Sequence, residues 1–180
     1  MGTDKAFLRW GDETLLERAL KLARAVAEDV RIVGDTKKFG DFGCVVVEDV
    51  YGERGPLGGI HAALTSSGSE LNLMLAVDLP LMRPEFLSYL IGQAREAGAT
   101  VTVPDAAGGL QPLCAVYRRE FAGLAEESLQ AGKNKIDPLF AKVSTRVVEE
   151  EELVRAGFSG EMFRNVNTPE ELKEARRTVL

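Results

Sequence analysis

Residues 71–80 read LNLMLAVDLP, and what this stretch forms decides the fold. The apolar run is far shorter than the roughly 20 residues needed to cross a bilayer. It does not alternate apolar with polar residues, as a strand with one wet face does. It therefore predicts a strand covered on both faces, the kind that parallel sheets contain. Asp78 and Pro80 follow directly and end the run.

Working outward, VRIV (30–33), CVVV (44–47) and ATVTVP (99–104) have the same character. Helical patterns separate them. Leu15, Leu16, Ala19, Leu20, Leu22, Ala23 and Val26 line one helical face, and Thr14 and Glu17 have the spacing of a capping box. GGIHAALTSS (58–67) predicts a short helix, and PEFLSYLIGQAREAG (84–98) a longer one closed by Gly98. Farther on, PLCAVY (112–117) predicts a strand, RREFAGLAEESLQAG (118–132) a helix, TRVVEE (145–150) a strand and PEELKEARR (169–177) a last helix. Strands alternating with helices predict an α/β fold around a parallel sheet, with the 71–77 strand central. Right-handed crossovers then bring the carboxyl ends of the strands to one edge. No linker divides the chain, so residues 1–180 read as one domain.

A formal net charge of -6 argues against nucleic-acid binding, which calls for a basic face. No membrane span and no secretory signal is expected, which together point to the cytoplasm. Cys44 and Cys114 lie far apart inside strand-like runs and read as two buried thiols, not as a disulfide or a zinc site.

The informative residues follow the apolar runs. Gly34-Asp35 follows the first, Glu48-Asp49 the second and Asp78 the third. In a parallel sheet these acids emerge at the carboxyl edge, where ligands bind in such folds. Each singly also fits a helix cap or a turn. Asp78 is placed to ligate a hard cation such as Mg²⁺; the competing role, capping the helix after Pro84, leaves Arg83 and Pro84 in between. Ahead of the 58–67 helix, Gly55, Pro56, Gly58 and Gly59 form a tight loop that turns backbone N–H groups toward an anion. His61, just inside that helix, reads as a histidine making one structural hydrogen bond, with phosphate contact as the alternative. Near the end, Asn165 and Asn167 point the same way if the segment is extended. Thr168, Pro169 and Glu171 read as a helix start.

Taken in order, MGTDKA (1–6), ETLLERAL (13–20), the acid before GPLGGI (55–60), AVDLPLM (76–82), QPLCAVYRR (111–119) and RNVNTPEEL (164–172) resemble the molybdenum cofactor guanylyltransferases. This is the molybdopterin-guanine dinucleotide biosynthesis protein A family of the Rossmann-like nucleotidyltransferases. The resemblance implies a three-layer fold with a mostly parallel central sheet. It implies Mg²⁺-dependent transfer of GMP from GTP to the terminal phosphate of molybdenum-molybdopterin, with release of pyrophosphate. By position, Lys5 and Asp78 resemble the catalytic pair, and Asp78 the metal ligand. Lys5, Asp35, Asp49 and Asp78 resemble the nucleotide site, although many relatives carry an Asn where this chain has Gly34-Asp35. Gly55, Pro56, Gly58, Gly59, Asn165 and Asn167 resemble the pterin site. Recipient molybdoenzymes or a cofactor carrier are the implied partners.

The family pattern opens with a strand and a glycine-rich loop ending R-M-G-x-D-K-A, of which this chain holds only the last part. The expected origin is a longer protein in which Met1 is internal; the alternative is a shortened, non-catalytic relative that binds the pterin. In either case the sheet is expected to have a gap beside its central strand, or something else filling it. Weak GTP binding by the chain as it stands is the expected consequence. Two further alternatives are a cytidylyltransferase acting on the same cofactor or on a sugar or polyol phosphate, and a flavodoxin-like binding domain.

Overall fold

The structure, a computed structural model, describes residues 4–52, 54–166, 168, 171–172 and 174–175. In chain order the first elements are β1 (Arg9–Trp10), β2 (Glu13–Thr14), α1 (Leu15–Arg24), β3 (Arg31–Val33), α2 (Thr36–Phe39), β4 (Val45–Val47), α3 (Pro56–Ser66) and β5 (Leu71–Leu75). They are followed by α4 (Pro84–Ala97), β6 (Val101–Ala106), β7 (Gly109–Leu110), β8 (Cys114–Arg118), α5 (Phe121–Gln130), α6 (Asp137–Phe140), β9 (Thr145–Val148) and α7 (Glu150–Arg155).

Local chemistry explains the helix ends. Thr14 accepts from the Glu17 amide at 3.2 Å while Glu17 accepts from the Thr14 amide at 2.7 Å, the reciprocal capping box that the sequence predicts. Gly98 closes α4 at φ 64°, a conformation that costs a residue with a Cβ. Thr168 and Glu171 exchange hydrogen bonds in the same way at the start of the last helical segment.

Alternating side chains divide the molecule into three layers. Leu71, Leu73, Leu75, Cys114 and Val116 pack against Leu22 of α1 and against Phe86, Leu87 and Leu90 of α4. Their neighbours Met74, Ala115 and Tyr117 face the other way, against Ile60 and Leu64 of α3 and Phe121, Ala125 and Leu129 of α5. Burial raises the Cys114 thiol to about 12 and raises the Tyr117 hydroxyl as well.

The sheet departs from the expected pattern in two ways. First, β8 runs against its neighbours: β5 and β6 both pair with it antiparallel, while β9 pairs with β6 in parallel. Strands β5, β6 and β9 therefore share one direction and the sheet is mostly parallel. Second, β3 and β4 pair in parallel as a separate ribbon, and among the described residues no ladder joins β3 to β5. The strand expected to be central thus stands at an edge. Of the runs predicted to be buried on both faces, β6 is buried apart from Asp105, whereas β3, β4 and β5 are partly exposed apart from Ile32, with all five β5 residues intermediate, Val33 37% exposed and Val45 58% exposed. A strand is shielded by its neighbours, and among the described residues β3, β4 and β5 each pair on one side only.

Candidate active site

The carboxyl ends of β3, β4 and β5 form the candidate site. Asp78 follows β5 and is 8% exposed. Its Oδ2 accepts from Lys5 Nζ at 2.5 Å, an ion pair bridging 73 residues of sequence. Asp4 starts the short turn that presents Lys5, accepting from the Ala6 amide at 3.0 Å and from Lys38 of α2. The Lys38 hydrogen bond and then the Ala6 N–H hold the Asp4 carboxyl below its ordinary range.

Asp78 does not cap α4. The cap position is Arg83, so the structural role that competed with metal binding falls away. Instead, the Asp78 carbonyl accepts from the Val166 amide at 3.0 Å, which pins the segment carrying the exposed Asn165 beside the site. Asn167 lies outside the described residues.

Asp49 follows β4 and accepts from the Tyr51 amide at 2.9 Å. Its carboxylate lies against the first turn of α3, where a Cβ on Gly58 would come within 2.3 Å of Oδ2. The positive end of α3 and a glycine without a side chain together seat this acid. Gly55 is the residue that caps α3, Pro56 takes the first helical position and Gly59 lies beside Val33 of β3. Asp35 accepts from the Lys37 amide at 2.8 Å and so caps α2, while Glu48 accepts from the Thr36 amide at 3.3 Å. The structure thus joins Lys5 to Asp78, Asp49 to the Gly58 loop and Val166, the neighbour of Asn165, to Asp78, and gives Asp35 a capping role.

His61 is structural. The Thr65 hydroxyl donates to the His61 carbonyl at 2.8 Å, so ring Nε2, 3.3 Å from the same oxygen, carries the hydrogen and donates. The ring is buried and meets Tyr51 edge-on at 5.2 Å. Sequence reasoning missed the Val166–Asp78 tie and the Asp4–Lys38 pair, for which no local signal exists. It also missed the Gly58–Asp49 contact, for which a glycine inside the first turn of a helix was the available signal.

The sequence model of the MobA-like NTP transferase domain matches residues 1–147. The chain belongs to this family. A probable molybdenum cofactor guanylyltransferase of Pelotomaculum thermopropionicum is 37% identical over 98% of this chain and 85% of its own length. A molybdenum cofactor guanylyltransferase of Desulfosudis oleivorans is 32% identical over 99% and 88%. Among solved structures, molybdopterin-guanine dinucleotide biosynthesis protein A of Archaeoglobus fulgidus superposes with a TM-score of 0.84 at 25% identity, covering 99% of this chain and 91% of that one. As a MobA-like protein the chain is a nucleotidyltransferase, and its acids sit at the edge of the sheet where α/β folds bind ligands. No helix among the described residues is long and apolar enough to cross a membrane.

Proposed function

We propose that this chain transfers GMP from GTP to the terminal phosphate of molybdopterin carrying molybdenum, with release of pyrophosphate. The observation that carries the reading is the Lys5–Asp78 pair at the carboxyl end of β5. It stands in a chain similar along nearly its whole length to proteins named for that reaction.

The attacking group is itself an anionic phosphate, so no side-chain nucleophile is needed. The bond that forms joins that phosphate oxygen to the α-phosphorus of GTP, and the bond that breaks frees pyrophosphate. The protein's task is to hold the two phosphates in line and to neutralise the charge that develops. Lys5 is the cation for the α-phosphate, on a turn fixed by Asp4. Asp49, seated on α3, faces the nucleotide, and the loop from Gly55 to Gly59 and Asn165 receive the pterin substrate.

Mg²⁺ fits the donor set. Asp78 is a hard oxygen ligand, and among the described residues no group of three or more His, Cys, Asp or Glu side chains is placed to cage a metal. One carboxylate, with the other positions taken by phosphate oxygens and water, is the usual way this ion is held. When bound, it supplies positive charge to the phosphate oxygens.

Thermal stabilisation by Mg-GTP and by Mg-CTP, measured on the chain and on Asp78→Ala, tests the reading. GTP-selective stabilisation that the substitution removes is the expected result. Stabilisation by CTP alone would favour the cytidylyl reading. A GTP response that survives Asp78→Ala would remove this residue from the site.

A further inference from the structure

The loop from Glu48 to Gly55 carries Asp49 and leads into α3, yet little within it fixes its course. Gly52 and Gly55 take positive φ values of 43° and 70°, turns that glycine makes without the penalty of a Cβ. Val50 is 79% exposed, and Gly52, Arg54 and Gly55 are exposed as well. Among the described residues of this loop, Tyr51 is the one whose side chain joins a hydrophobic cluster.

Tyr51 ties the acid to the helical layer. Its N–H donates to Asp49 Oδ1 at 2.9 Å, so the carboxylate follows wherever the backbone of residue 51 is held. Its ring meets the buried His61 ring of α3 edge-on, with 5.2 Å between centroids. Its hydroxyl donates to Glu126 Oε1 of α5 at 3.3 Å, which is long for an O–H···O hydrogen bond and lies at the surface. Ring packing therefore carries the anchor, and the hydroxyl adds little. The same contact gives His61 a use. One of its ring nitrogens serves Thr65, while Nδ1 is buried with no hydrogen-bond partner among the described residues. Beyond that single hydrogen bond, what the ring supplies is a wall for Tyr51.

The other carboxylate oxygen has no slack either, because a Cβ on Gly58 would lie 2.3 Å from Oδ2. Tyr51 thus sets Oδ1 while the first turn of α3 bounds Oδ2. We propose that Tyr51 is a positioning residue: its ring, seated on His61, holds the Asp49 carboxylate against α3 in the orientation that meets the nucleotide. This rests on the reading of Asp49 as an acid of the nucleotide site. Tyr51 acts through Asp49 and is not itself a ligand.

The test measures Mg-GTP affinity by calorimetry and amide hydrogen exchange at residue 51, relative to its unfolded-chain rate. The proteins are the full chain, Tyr51→Ala, Tyr51→Phe, Asp49→Ala and the double variant Asp49→Ala/Tyr51→Ala. Tyr51→Ala is expected to speed exchange at this amide about tenfold or more. It should also weaken Mg-GTP binding about tenfold, the cost of a misplaced group. Tyr51→Phe, which keeps the ring, should behave as the parent chain on both counts. On the Asp49→Ala background the Tyr51→Ala change should weaken binding no further, because the group it positions is gone. Unchanged exchange in Tyr51→Ala overturns the proposal. So does a loss of binding that persists in full without Asp49, as a merely structural role would give. An equal loss in Tyr51→Phe overturns it too, because the hydroxyl and not the ring is then the anchor. If Asp49→Ala leaves Mg-GTP binding as it is in the parent chain, the nucleotide reading of Asp49 fails and the proposal with it. If Asp49→Ala binds weakly and Tyr51→Ala does not, that reading stands and the proposal alone fails.

Discussion

At the scale of single residues the account rests on where charges are held. Asp78 is almost out of water, and a carboxylate there is costly unless a cation meets it. Lys5→Met is therefore expected to destabilise the fold by about 1–3 kcal/mol, read from urea unfolding; an unchanged midpoint would mean that water already compensates Asp78. Gly58→Ala puts a methyl group where the Asp49 carboxylate lies. It should weaken nucleotide binding while leaving the far-ultraviolet circular dichroism unchanged, and equal affinity in the two proteins would separate Asp49 from the nucleotide. That Asp49 and Asp78 follow strands was legible because each comes directly after a recognisable apolar run, whereas Lys5 was singled out by its resemblance to a family motif. The use of Asp35 as a cap for α2 was not legible, because a four-residue helix has no periodic pattern to announce it.

At the scale of elements, the start of α1 was legible to the residue, because a capping box is written within four positions. Thr14→Ala should cost about 1 kcal/mol of stability, measured by thermal or chemical unfolding. The turn before it gives a pH dependence. Asp4 has a folded pKa below its ordinary value of 3.8, so the native state binds fewer protons than the unfolded chain. The stability this contributes is complete above that ordinary value and is lost as pH falls through the lower folded one. Asp4→Asn should flatten the acid limb of a stability-against-pH curve and leave its neutral part shaped as before; an unaltered acid limb would contradict the assignment. Strand direction was a different matter. PLCAVY reads as a buried strand whichever way it runs, and the reversal of β8 comes from its connections and pairing, not from its composition.

At the scale of the whole molecule, the three layers, the helices on both faces and the placing of Asp35, Asp49 and Asp78 after strands were legible in the alternation of apolar runs with helical stretches. The separation of the β3–β4 ribbon from the five-stranded sheet followed from the family pattern alone. No residue within Leu71–Leu75 tells whether a neighbour exists on one side or two; the run is equally apolar in either case, and only its exposure differs. The central claim is that the edge holding Lys5 and Asp78 performs guanylyl transfer. The most direct measurement is pyrophosphate release from Mg-GTP with molybdopterin as acceptor, comparing the chain with Asp78→Ala and GTP with CTP. The account predicts GTP-dependent release that falls about a hundredfold or more in the variant, with its melting temperature retained; release at the same rate from Asp78→Ala, or with CTP in preference to GTP, would contradict it.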